Sequence, residues 1–173
     1  METIVLEERI NGAINHLIPL FHVREKELGR VKEIKIKRIL EFWEHPEHPR
    51  EVPAYNFVEN YFYFPQKDEP QLDIFSQHTV YHEAGHHIHC LINPYAQRWI
   101  SSFLKKGEWP SKLGMLKETI ATYANFVSGF IPEEKFFGNL EKDVRKIYSK
   151  YGPEFLHSIV RMGITEAKDK GII

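Results

Sequence analysis

His82 and His86 are four positions apart with Glu83 beside the first, an H-E-x-x-H arrangement in His82-Glu83-Ala84-Gly85-His86. In a helix advancing about 100° per residue, positions four apart differ by only about 40°, so both imidazoles leave one face and can grip one metal ion. Glu83 falls next to that face. There a carboxylate can hold and deprotonate a metal-bound water without being a ligand. With 10 histidines in the chain, such a match has a chance of about a few per cent from composition alone, so its surroundings must decide.

Those surroundings read as a helix over 74–91, with Asp73 as N-cap and Asn93-Pro94 as the stop. Val80, Ala84, Ile88 and Leu91 form its apolar stripe. His78, His82, His86 and His89 occupy a neighbouring stripe that includes Gly85. A mid-helix glycine costs about 0.5–1 kcal/mol relative to alanine, which implies that something approaches closely there.

A catalytic zinc needs a third protein ligand and an open position. His89 shares the face but lies roughly 10 Å along the helix from His82, too far for one ion, and reads as support or packing. Glu118 is the candidate. Its helix directs an apolar stripe elsewhere, and its own face carries Ala121, Thr122 and Asn125, small enough for two helices to approach. Glu108, Glu133 and Glu134 sit at helix ends or breaks and fit less well.

The elements that must position these groups can be traced along the chain. Residues 3–28 read as an amphipathic helix interrupted or bent near Pro19 and ended by Gly29, and the run 31–37, alternating from Ile34 onward, as a half-exposed strand. His45 and His48, among prolines, read as loop residues. Residues 52–64 read as a hairpin turning at Glu59-Asn60 and ended by Pro65, which packs its aromatics, offers an edge to an extended peptide, or does both. Tyr61 and Tyr63 are the candidate substrate-binding residues on it. Helices are expected over 95–106, 111–130, 133–150 and 153–170.

Composition sets the frame. A chain of 173 residues fits a single domain, 1–173, with its core at about 31–132 and a C-terminal helical segment at about 133–173. The expected class is α+β: a compact zincin-like domain with a small antiparallel or mixed sheet, a metal-binding helix, a glutamate-bearing helix and added terminal helices. A net charge of -1 and a pI near 6.8 argue against nucleic acid. No apolar run approaches the roughly 20 residues that span a bilayer, and no leader pattern opens the chain, so a cytoplasmic protein without membrane insertion is expected. Nothing in the composition opposes a homo-oligomer. The single cysteine, Cys90, excludes a disulfide framework and reads either as a small buried residue or as a thiolate reaching the metal.

His82-Glu83-x-x-His86, followed by Glu118-Thr-Ile-Ala121, Ala124-Asn125-Phe126 and Phe130-Ile131-Pro132, resembles the gluzincin metallopeptidases. Within them the chain is most similar to the minigluzincins and the ImmA/IrrE-type metallopeptidases, and the resemblance covers about residues 52–132. It implies Zn2+ held by His82, His86 and Glu118, with Glu83 as general base in hydrolysis of a peptide or unfolded protein. It also implies that the C-terminal segment can block the cleft and keep the enzyme latent. Thr122 departs from the pattern, since relatives often carry Asp or Asn there to orient a histidine. Tyr148, Tyr151 and His157 are the candidate oxyanion helpers. The competing expectation is a zinc-binding but proteolytically inactive regulatory or interaction module. A zinc deaminase is disfavoured because its P-C-x-x-C partner is absent.

Overall fold

The structure, a computed structural model, describes residues 2–39, 54–56, 59–65, 77–96, 111–131 and 138–173. It is mostly helical with one three-stranded mixed sheet, an α+β arrangement. Leu6, Ile10, Ala13, Ile14 and Leu17 recur at helical spacing, and all are buried in α1 (Glu2–Leu20). Of the expected interruption or bend near Pro19, it is an interruption that divides the stretch into two helices. The chain turns after Pro19 through His22, whose φ is 49°, and restarts as α2 (Glu25–Lys32), where the Glu27 carboxylate accepts the Arg24 N–H at 2.8 Å. Gly29 therefore lies inside α2 and does not end a helix.

Strands β1 (Ile36–Ile39), β2 (Ala54–Asn56) and β3 (Tyr61–Pro65) pair in the order β1-β3-β2, with β1 parallel and β2 antiparallel to β3. The β2–β3 hairpin turns where its residues require it. Asn60 takes a left-handed φ of 55°, and the Asn56 Oδ1 accepts the Glu59 N–H at 3.0 Å. The strand expected over 31–37 begins only at Ile36, because Val31 and Lys32 belong to α2.

Helix α3 (Gln77–Ile92) is the centre of the helical layer, packing on α1, α2, β2 and above all α4 (Ser111–Ser128). The proposed N-cap at Asp73 and most of the 95–106 helix lie outside the described residues. After α5 (Gly138–Tyr151) the chain passes through Gly152, at φ 73°, into two short helices, α6 (Phe155–Ile159) and α7 (Ile164–Asp169). One helix was expected over 153–170. It is broken where the carbonyls of Val160 and Met162 accept hydrogen bonds from the Asn93 side chain at 2.9 and 3.0 Å.

That bond and the Arg161 guanidinium fasten the C-terminal segment to the end of α3. Arg161 forks onto both Glu27 carboxylate oxygens, at 2.8 and 2.7 Å, and also donates to the Ile92 carbonyl at 3.1 Å. Leu156, Ile159, Val160 and Ala167 are fully buried and belong to the same hydrophobic cluster as α1, α3 and α4. Among the described residues, no helix is long and apolar enough to cross a membrane.

Candidate metal centre

The close approach implied by Gly85 is between α3 and α4. A Cβ at Gly85 would stand 3.2 Å from both the Ala121 Cα and the Ala124 Cβ, so only glycine admits α4 at this separation without displacement. This contact carries Glu118 across to the two histidines. His82 Nε2 lies 3.0 Å from Glu118 Oε2, His86 Nε2 lies 3.1 Å from Glu118 Oε1, and the two Nε2 atoms are 3.1 Å apart. Among the described residues these three form the one group able to hold an ion.

The donor set fits a metal. Four-coordinate zinc with bonds of about 2.0–2.1 Å holds its ligand atoms about 3.3 Å apart, close to what is seen. Three electron-rich groups also converge in a buried space, which is stable only with positive charge among them: a metal ion, or protons in its place. The histidine side chains are 7% and 3% exposed, whereas that of Glu118 is 42% exposed. The group is thus closed on the imidazole side and open on the carboxylate side, as a site with a free coordination position requires.

The electrostatics follow this crowding. Burial disfavours a charged His82, but the adjoining Glu118 carboxylate outweighs it and the pKa of His82 is raised. Burial opposes ionisation of Glu118, yet the two imidazoles hold its pKa far below the usual range. Burial raises the pKa of Glu83, with the neighbouring imidazoles pulling the other way. Lys117, also buried, is held down to about 8 by desolvation.

The sheet meets the site through β2. Phe62 donates its N–H to Lys35 at 2.8 Å, so its backbone faces β1. Tyr55 stands directly opposite Phe62 in the antiparallel register and must turn its own N–H and carbonyl away from β3. The Tyr55 backbone there comes close to the Glu83 carboxylate and opposes the rise in its pKa. His87 locks this strand to the helix. Its Nε2 donates to the Val31 carbonyl at 2.7 Å, its Nδ1 lies 3.1 Å from the Tyr55 hydroxyl, and burial lowers its pKa to about 4.

Other candidates fall elsewhere. His89 is a packing residue: its Nε2 lies 3.1 Å from the Asn93 amide nitrogen, and burial lowers its pKa to about 3. The Cys90 thiol points to Asn60 Oδ1 at 3.7 Å and burial pushes its pKa to about 11, so it is no thiolate ligand. Tyr61 and Tyr63 lie on the central strand β3, whose backbone pairs on both sides. The edge strands of the described sheet are β1 and β2, and the Tyr61 ring stacks under the Lys37 ammonium at 4.1 Å. Tyr148 packs on Tyr123 and Phe126, Tyr151 stacks on Phe155, and His157 stacks on His22 at the turn before α2. None of these four contacts is with a member of the His82, His86 and Glu118 group. His45 and His48 lie outside the described residues.

Tyr55, His87 and Asn125 are the supporting residues that sequence reasoning did not assign. For Asn125 the signal was present, since it shares the face of Glu118; for Tyr55 and His87 it depended on the pairing of distant strands. Compared with known proteins, the chain matches no family model, no curated protein and no solved structure.

Proposed function

We propose that the chain is a gluzincin-type zinc metallopeptidase on a zincin-like fold, with His82, His86 and Glu118 as ligands and Glu83 as general base. The observation that carries this reading is the convergence of two imidazole Nε2 atoms and one carboxylate within 3.1 Å of one another, open on the Glu118 side. Zinc held there supplies a water of lowered pKa and polarises the scissile carbonyl.

The rest is done by the chain itself. Burial raises the basicity of Glu83, which suits it to take a proton from water and pass it to the leaving amine. The Tyr55 backbone beside Glu83 sets β2 against the base, which supports a peptide substrate running along that strand. The described C-terminal helices pack on α4 and fasten to the far end of α3, and the exposure of Glu118 supports an accessible site over a latent one.

Glu83→Gln is the test. The variant should bind zinc as the wild type does and lose cleavage of an unfolded protein such as casein by at least about 10²-fold. Unchanged cleavage, or a wild type that binds zinc without cleaving any of a broad peptide set, would reject the proposal.

A further inference from the structure

Asn125 is fully buried on α4, and both hydrogens of its amide are committed. Its Nδ2 donates to the His78 carbonyl at 2.8 Å and to the Phe130 carbonyl at 2.9 Å. Both partners are backbone carbonyls, which can only accept, so the amide cannot be turned the other way. Its Oδ1 is therefore the atom left facing the interior, buried and with no hydrogen bond of good geometry among the described residues. A buried amide oxygen left in that state is costly and calls for a donor.

His78 lies one helical turn before His82, so a side chain bonded to its carbonyl arrives beside His82, and the Asn125 side chain stands close enough to act on that imidazole. Thr122 occupies the position where the resembled family carries its orienting residue. Its buried Oγ1 has no hydrogen-bond partner among the described residues.

We propose that Asn125 is the positioning residue of His82: in the metal-loaded protein its Oδ1 accepts the Nδ1–H of His82, fixing the tautomer that presents Nε2 to the ion. This rests on the metal-centre reading above. An imidazole whose second nitrogen is so held is locked in rotation and is a stronger donor at the first. The same residue, through its Nδ2, ties the start of α3 to the end of α4. Anchoring of the helices and orientation of the ligand thus come from opposite ends of one amide.

The two ends can be separated by substitution. Asn125→Ala removes both; Asn125→Asp keeps the acceptor and removes the donors. Zn2+ affinity would be measured by chelator competition, alongside thermal melts of the metal-free protein and imidazole 15N NMR of the zinc-loaded protein. Both variants should melt lower, since both lose the carbonyl contacts. Asn125→Ala should bind Zn2+ roughly 10–100-fold more weakly and lose the protected His82 Nδ1–H resonance, whereas Asn125→Asp should stay within about threefold of wild type and keep it.

Equal affinity losses in the two variants would overturn the proposal in favour of a purely structural role, as would an undiminished His82 resonance in Asn125→Ala. If the alanine variant does not fold, the resonance in Asn125→Asp decides: present supports the proposal, absent overturns it. A wild type that binds no zinc overturns the metal-centre reading itself. That failure is distinct from a zinc-binding wild type indifferent to residue 125.

Discussion

Replacing Gly85 with alanine sets two calculable effects against each other. In an isolated helix the change stabilises by about 1 kcal/mol, because glycine is the poorer helix former. Here the new Cβ would lie 3.2 Å from the Ala121 Cα and the Ala124 Cβ. Carbon atoms in contact sit about 3.5–4.0 Å apart, so α4 must withdraw by roughly 0.3–0.8 Å. Neither neighbour is the flexible end of a long side chain, and overpacking of this kind costs about 1–3 kcal/mol. The expected net loss of stability for the metal-free protein is about 1 kcal/mol. The effect on metal binding should be larger, because Glu118 is on α4 and both histidines are on α3. Metal–ligand distances hold to about ±0.2 Å, and the withdrawal exceeds that. Zn2+ affinity should fall by roughly 10–100-fold, read by chelator competition, with metal-free stability followed by urea unfolding. A variant that is stabilised by the full 1 kcal/mol and binds zinc as tightly as wild type would show that the helices are not in hard contact at Gly85.

Two further outcomes follow from the way the C-terminal segment is fastened. Arg161 hydrogen bonds hold the Glu27 carboxyl down from 4.5 to about 2, and Arg161 is only 21% exposed, so the pair is worth about 3 kcal/mol at neutral pH. Glu27→Gln should lose that much in urea unfolding at pH 7. Because the folded-state pKa is depressed, the difference should hold above about pH 4.5, shrink as pH falls from there and vanish near pH 2; a constant difference across this window would refute the assignment. Deleting residues 152–173 would remove the fully buried Leu156, Ile159 and Val160, worth about 1.5–3 kcal/mol each. The truncated chain should lack a cooperative thermal transition by circular dichroism. A truncated chain that melts like wild type and cleaves peptide faster would show the segment to be a removable inhibitor.

What could be read in advance was local. A four-residue spacing on one helix places His82 and His86 together whatever surrounds it, and Gly85 announces a close neighbour because glycine is costly in mid-helix. The hairpin turn at Glu59-Asn60 was legible because asparagine tolerates the left-handed backbone found there. What escaped depended on contacts between distant segments. Nothing near Phe62 states that β1 will take the far side of β3, and this pairing is what makes β3 the central strand of the described sheet. Arg161 and Glu27 are ordinary charged residues until the fold brings them together, and the bond from Asn93 to Val160 and Met162 then breaks a helix that periodicity alone would continue. His87 looked like one more member of a histidine-rich helix. Its role is set by the Val31 carbonyl and the Tyr55 hydroxyl on either side.

The central claim is that His82, His86 and Glu118 hold one metal ion. Its most direct test is metal analysis by mass spectrometry of wild-type protein and Glu118→Ala after zinc loading and exhaustive dialysis. About one zinc per chain in the wild type is expected, with a loss of at least roughly 100-fold in affinity in the variant, whose two remaining histidines cannot close the site. A wild type that retains no metal, or a Glu118→Ala protein that retains as much as the wild type, would contradict the account.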